Sequence, residues 1–335
     1  MATIKYNNAY IEDWLTIVGP KEAESKLKKI DYKMDDYYFG EKTFEQCEIK
    51  MQRLIIDNIL NNNNLKKEDI NILIGGDLLD QISVSNYAAS DNRISMLGIY
   101  SACATFAESL IIGSMFLKES SIKNVLTITS SHNKTAERCY RFPIEYGYPK
   151  KGVSTCTVTA GITTLLKKDE GKIKIESATI GKVIEKGIVD IFNMGAIMVP
   201  SAANTLYEHL KDLKRDVSYY DLILTGDLGC TGAEIFKEYM KKEYNINVSK
   251  HIDAGCEIYL KSDEISSGGS GPSALPLILF NKIIFSGKYK KILIIATGSL
   301  HSRTLANQKI SIPSIAHAVS LEVLWYIYMH FCSLV

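Results

Sequence analysis

Cys103 is the side chain best placed for covalent chemistry in this sequence. It stands in Gly98-Ile99-Tyr100-Ser101-Ala102-Cys103-Ala104-Thr105 and opens an apolar helix expected from about Ser101 to Leu117. The N–H groups and macrodipole at a helix N-terminus stabilise a thiolate. Such a thiolate attacks carbonyl carbon when bases and oxyanion donors stand beside it. Polar residues of suitable type close the expected strands. Asp77 follows Ile70–Ile74 and His132 follows Val125–Thr129. Cys230 and Ser299 follow the strands at Tyr220–Leu224 and Ile292–Ala296, and Ser270 lies in the glycine-rich turn Ser267-Gly268-Gly269-Ser270-Gly271. Plainer readings stand beside these. Cys103 is also a small residue that an apolar helix buries, Asp77 a turn residue that satisfies backbone N–H groups, and His132 a loop residue.

The elements that must position these residues occur twice. In each half a strand ends in Gly-Asp-Leu (Gly76-Asp77-Leu78 and Gly226-Asp227-Leu228), and an apolar helix leads through a lysine-bearing turn to another strand. The interval from Cys103 to Val125 equals that from Ser270 to Ile292, 22 positions. The first half adds a helix at Thr43–Asn61, with Phe44, Met51, Leu54, Ile55 and Ile59 near helical spacing. The helix after Cys103 is apolar all round, so it belongs inside a protein. The second apolar helix is expected over Ser273–Phe285. Short strands alternating with helices predict an α/β fold with mainly parallel sheets. The halves divide at 1–170 and 171–335.

Composition narrows the function classes. The 335 residues carry 39 Lys+Arg against 38 Asp+Glu, a net charge of +1. That balance gives no footprint for nucleic acid. No stretch approaches ~20 consecutive apolar residues, so no transmembrane helix is expected. The N-terminus lacks the basic-then-apolar pattern of a signal peptide. The seven cysteines are odd in number, irregularly spaced and without CxxC. This argues against a disulfide framework or a zinc cage and for a reducing compartment. The segment from Val323 to Val335 is apolar but too short to span a bilayer.

A duplicated α/β fold whose central helix opens on a cysteine resembles the thiolase superfamily. Within it the chain is similar to the stage V sporulation protein AD (SpoVAD) family. The resemblance is carried by Val18–Glu24, Gly75–Ile82, the Cys103 segment, Ser130–Arg138, Phe142–Gly147, Ala296–Leu300 and Ile312–Val319. It implies a five-layer αβαβα fold of two mixed sheets with buried central helices. It also implies a soluble, peripheral protein of the forespore and spore inner membrane. Such a protein binds dipicolinic acid, with Ca2+ as its companion, works with the other SpoVA membrane proteins of a channel assembly, and forms a homodimer. No resident cofactor or metal is implied.

The same resemblance bears on catalysis. Ketoacyl-synthase relatives carry His where Gly226 or Asp227 stands here, and Asn where Gly269 stands. Thiolases carry Gly-His-Pro and Cys-Gly-Gly where this chain has Gly271-Pro272 and Thr297-Gly298-Ser299. The expectation is therefore a binding pocket at Cys103, Asp77, His132, Cys230, Ser270 and Ser299, with no catalytic residue. The alternative is a cysteine-dependent acyltransferase or ketoacyl-synthase-like enzyme acting through Cys103.

Overall fold

The computed structural model describes residues 2–25, 27–141, 151–259 and 266–324. The segment Phe142–Gly147 and the apolar tail Trp325–Val335 lie outside the described residues.

Strand segments rich in Ile, Leu, Val and Thr build one hydrogen-bonded sheet of 12 strands. Its first half holds β1 (Ala9–Val18), β2 (Ile72–Gly76), β3 (Met96–Gly98), β4 (Asn124–Ser131) and β5 (Ala160–Lys168). Its second half holds β6 (Ile173–Ile180), β7 (Leu222–Thr225), β8 (His251–Asp253), β9 (Lys291–Ser299) and β10 (Ser314–Val323). The order is β8-β7-β9-β10-β6-β1-β5-β4-β2-β3, and two short strands, Ala2–Lys5 and Tyr32–Lys33, attach to β6 and β1. Each half therefore runs third, second, fourth, fifth, first. In each, the second strand is parallel to the third and fourth, and the fifth is antiparallel to its neighbours. The halves meet through the pairs Tyr10↔Lys174 and Ile11↔Ile173.

Helices fill the spaces around this sheet. α1 (Phe44–Asn62) is capped by Thr43, whose side chain accepts from Gln46 N, and it buries Cys47, Met51, Ile55 and Ile59 along one stripe. With α2 (Ser83–Asn92) it forms an outer core against β1, β2, β4 and β5. On the far side, α5 (Met194–Leu213) and α6 (Gly229–Tyr244) form a second outer core with β7, β9 and β10. Between them lie α3 (Thr105–Phe116) and α7 (Ala274–Ile278), and α4 (Asn133–Tyr140) follows β4 at the site. α3 packs on β2 and β4 of its own half and on β9 and β10 of the other. Phe106, Leu110, Leu277 and Phe280 share its central core with Ile292, Ile294 and Ala296. Leu293 and Ile295 of the same strand face the outer core, so β9 is apolar on both faces. These layers are the expected five, but the two expected sheets are joined edge to edge into one, and it is mixed where the strand–helix alternation predicted mainly parallel pairing. Among the described residues no helix is long and apolar enough to cross a membrane.

Three details differ from the sequence reading. α3 starts at Thr105, not Ser101, because Ala102 sits at φ +50°, which no helix accommodates. The second apolar segment is α-helical only to Ile278 and then widens into a π turn over Leu279–Ile283. The wide turn frees the Asn281 carbonyl to accept from Lys28 N and Lys29 N at 3.1 and 3.3 Å, tying the β1–α1 connection to the helix. The cysteine spacing argued against disulfides, yet Cys230 and Cys256 form one, with Cα atoms 4.7 Å apart. The start of α6 and the one-turn helix Ala254–Ile258 meet in space after 26 residues, which spacing alone does not reveal.

Gly298 on β9 lets the strand touch the turn before α3. A Cβ there would lie 2.4 Å from Ser101 O. Gly298→Ala should lower stability by about 1–3 kcal/mol, the usual cost of overpacking a tight contact. The urea unfolding midpoint measures this, and an unshifted midpoint would show that the turn has room to move.

Candidate functional site

The site lies where the two central helices begin. Ala102 holds its left-handed conformation through a local clamp: Thr105 Oγ1 accepts from Ser101 N at 3.1 Å and donates to Ala102 O at 2.7 Å. A non-glycine residue at such a φ is strained, and the strain aims the next side chain, Cys103, out of the turn. The thiol donates to Asp227, which arrives from the second half at the end of β7. Asp227 Oδ1 accepts from Thr297 Oγ1 at 2.6 Å, and its Oδ2 accepts from Gly271 N at 3.3 Å. The Gly271 N–H also points toward the cysteine sulfur.

Electrostatics here favour neutral forms. Burial pushes the Cys103 thiol well above its ordinary value, and the Asp227 carboxylate pushes it further; the Gly271 N–H and Arg141 only partly oppose this. Burial also raises Asp227 to about 6. Proton transfer from Cys103 to Asp227 is therefore uphill. Beneath them, Asp253 is raised to about 7, first by burial, with Asp227 adding to it. It anchors the turn by accepting from Thr225 Oγ1 (2.7 Å), Leu228 N (3.0 Å) and Gly229 N (2.9 Å).

Cys103, Ser270 and Ser299 line one pocket, as do Tyr140, Arg141 and His301. Its empty space totals about 430 Å3, the solvent at its mouth included. Tyr100 and Tyr140 join hydroxyls at 2.5 Å across the mouth, and Tyr140 donates to Leu78 O. Outside them a wider groove runs past Arg138 and Arg303. Among the described residues three polar atoms of the wall have no protein partner: Arg141 Nε, Ser299 Oγ and His301 Nδ1. Their residues are only 6, 6 and 8% exposed. The rest of Arg141 is held, Nη1 donating to Thr155 O at 2.9 Å and Nη2 to Glu137 Oε1 at 2.7 Å. Buried polar atoms usually have partners, so these three leave open hydrogen-bonding positions in one wall.

The other expected residues are elsewhere. Asp77 does not line the pocket. It is buried at the end of β2, where its carboxylate accepts from Leu79 N (2.9 Å), Ser85 N (2.8 Å) and Ser85 Oγ (2.8 Å). Burial raises its pKa, and burial followed by the Asp77 charge raises that of Glu48. His132 caps α4: its Nδ1 accepts from Lys134 N at 3.2 Å and its Nε2–H donates to Tyr37 O at 2.9 Å. Burial lowers it to about 4, so it is a neutral structural group. Cys230 is in the disulfide and away from the pocket. Asp227 occupies the place in the second half that Asp77 holds in the first, so the repeat pointed to it. Arg141 and His301 lie in no repeated motif.

Comparison with known proteins follows from this geometry. The profile of the family described as Stage V sporulation protein AD (SpoVAD) matches residues 2–322. Stage V sporulation protein AD of Bacillus subtilis (strain 168) is 39% identical over 311 residues, covering 92% of this chain and 92% of that protein. The chain belongs to the SpoVAD family. Among solved structures, 3-oxoacyl-[acyl-carrier-protein] synthase III from Aquifex aeolicus VF5 aligns with TM-score 0.54 and 15% identity, over 96% of this chain and 100% of that one. Cerulenin-bound OleA from Xanthomonas campestris aligns with TM-score 0.59 and 13% identity, over 96 and 100%. At such identities these two show the fold alone. This SpoVAD chain thus sets a thiolase-like architecture around a neutral thiol.

Two outcomes follow for this SpoVAD protein. Iodoacetamide should label Cys103 more slowly than a free cysteine at about pH 8, and Asp227→Asn should speed labelling at least several-fold by removing a negative charge. Mass spectrometry of the peptide reads both, and an unchanged rate in the variant would contradict the electrostatic account. Stability should peak between about pH 6 and 7. Asp227, Asp253 and Glu48 are raised to about 6, 7 and 8, so the stability they contribute is lost as pH rises through those values. The five described histidines are all lowered by burial, so theirs is lost as pH falls below their unfolded value of about 6.5. Melting temperatures across pH test this, and a rise from pH 7 to 9 would contradict it.

Proposed function

We propose that this protein is a non-catalytic dipicolinate-binding member of the SpoVA assembly. In this reading it acts as a peripheral homodimer at the spore inner membrane and handles dipicolinate, alone or as its calcium complex, for the channel proteins. The observation that carries the reading is the wall of the Cys103 pocket. It offers two unpartnered donors, Arg141 Nε–H and Ser299 Oγ–H, to a carboxylate. Because Arg141 is clamped at both terminal nitrogens, it presents its remaining N–H without further ordering.

Among the described residues no group of three or more His, Cys, Asp or Glu gathers to hold a metal ion. Calcium binds through carboxylate oxygens. In this reading any calcium arrives chelated by the ligand's own oxygens.

The acyltransferase alternative needs a thiolate. Here the group at the base position raises the thiol instead of ionising it. The Gly271 N–H, which points toward the sulfur, is already engaged by Asp227. A nucleophile in that state is orders of magnitude slower than one with its base and oxyanion hole in place.

Titration calorimetry with dipicolinate, with and without calcium, tests the proposal. Wild-type protein should bind, and Arg141→Lys, which keeps the charge but loses Nε–H, should bind about 10-fold or more weakly. No heat of binding up to millimolar dipicolinate would overturn the reading. A stable adduct on Cys103 after incubation with acyl-CoA, absent in Cys103→Ala, would favour the enzyme.

A further inference from the structure

We infer that the pocket takes up its dicarboxylate together with one proton, and that His301 Nδ1 receives it. This rests on the binding reading above and adds a proton-linked step to it.

The tautomer of His301 follows from its surroundings. Its Nε2 lies 2.7 Å from Tyr140 O, and a carbonyl only accepts, so Nε2 carries the hydrogen. Nδ1 is then a bare lone pair, buried, without a protein partner, in the wall of the pocket. Arg141 Nε and Ser299 Oγ suit a carboxylate. A lone pair does not: against a ligand whose polar atoms are all acceptors it is repulsive. It becomes a donor on gaining a proton, or when the ligand brings the proton itself.

Charge balance points the same way. Arg141 is offset by Glu137 at 2.7 Å, and Asp227 adds a carboxylate. The groups facing His301 are Tyr140 and Arg141 at the end of α4, Tyr100 and Cys103 before α3, Asp80, Arg138 and Cys139 across the outer groove, and Arg303 on its own segment. Arg141 is paired with Glu137 and Arg138 with Glu45, while Arg303 lies in the outer groove, donating to Arg138 O at 3.1 Å. Inside the pocket the one cation among the described residues is thus already paired, and a dianion buried there is neutralised by a further cation or a proton. Asp227, whose oxygens accept from Gly271 and Thr297, is the competing proton acceptor, and the Asp227→Asn variant below separates the two. His301 has the vacant lone pair.

The sign is set by the two states. In the free protein, burial and then Arg141 lower His301, so it is neutral. Beside a dianion its pKa rises. Affinity is then full at low pH and is lost as pH rises through the bound-state value, by up to about tenfold per pH unit.

Calorimetry on the full chain, in metal-free phosphate and Tris at about pH 7.5, measures proton uptake from the difference in buffer ionisation heats. Dipicolinate and isophthalate, the analogue without the ring nitrogen, are the two probes. Wild-type protein should take up close to one proton per ligand. His301→Gln keeps a donor for Tyr140 O but cannot accept a proton, so it should bind with uptake abolished and a flattened pH dependence. Asp227→Asn should retain the uptake. Binding without uptake in wild type, uptake that persists in His301→Gln, or its loss in Asp227→Asn would each overturn the inference. Dipicolinate binding without uptake removes the inference and leaves the binding reading intact. Isophthalate binding with His301-linked uptake, where dipicolinate fails to bind, removes the reading and leaves the inference intact. Failure of both ligands to bind up to millimolar removes both.

Discussion

The hydrogen bond from the Cys103 thiol to Asp227 is the contact on which the site depends. Cys103 belongs to the first half of the chain and Asp227 to the second, so the bond exists only when the halves are docked. Docking in turn requires α3 and α7 to be buried between the sheets. α3 is able to lie there because it is apolar all round, with Phe106, Leu110 and Ile111 packed in the central core. Ser273 Oγ, just before α7, donates to Ala160 O at 3.0 Å on β5. Each central helix is thereby tied to the opposite half, and the pocket sits at their shared starting end.

Duplication explains why the two halves look alike and act differently. Asp77 and Asp227 occupy matching places after matching strands. Asp77 is consumed by Leu79 and Ser85 and steadies a turn. Asp227 has no such local loop to satisfy. Its turn is held instead by Asp253, which accepts from Leu228 N and Gly229 N. That leaves the Asp227 carboxylate to reach Thr297, Gly271 and Cys103. One copy of the repeat became scaffold for its own turn, and the other braces the cysteine of the pocket.

The layered fold was legible in the sequence because it is written in short-range pattern. The apolar run Ile292–Ile295, the all-apolar helix after Cys103 and the doubled Gly-Asp-Leu are visible without coordinates of any kind. Three pocket residues, Cys103, Ser270 and Ser299, were legible for the same reason: they end strands or begin helices. Arg141 and His301 were not. Their importance lies in what their neighbours fail to provide, an open Nε and a bare Nδ1, and only tertiary contacts reveal a missing partner. The Cys230–Cys256 pair was hidden for a related reason, since the start of α6 and the one-turn helix Ala254–Ile258 are adjacent in space and distant in sequence. The β1–β6 join, two residue pairs long, is likewise beyond any periodic signal.

The position of Cys103 poses a contest between opposing effects, and magnitudes decide it. A helix N-terminus favours a thiolate by about 0.3–1 kcal/mol at an exposed site. α3 begins at Thr105, so the sulfur lies upstream of the cap, outside the first turn where that effect is strongest. Removing a thiolate from water costs several kcal/mol in the absence of a partner cation. The nearest charge is an anion, Asp227, which adds to that cost, and Arg141 is already committed to Glu137. Burial and like charge therefore prevail, and the thiol keeps its proton. The same two features make a poor nucleophile and a stable wall: a neutral, polarizable sulfur beside donors that are fixed before any ligand arrives. Preorganised donors with no reactive centre lower the cost of binding without opening a path to bond formation. An architecture shared with acyl-transferring enzymes is in this way compatible with holding a small anion unchanged.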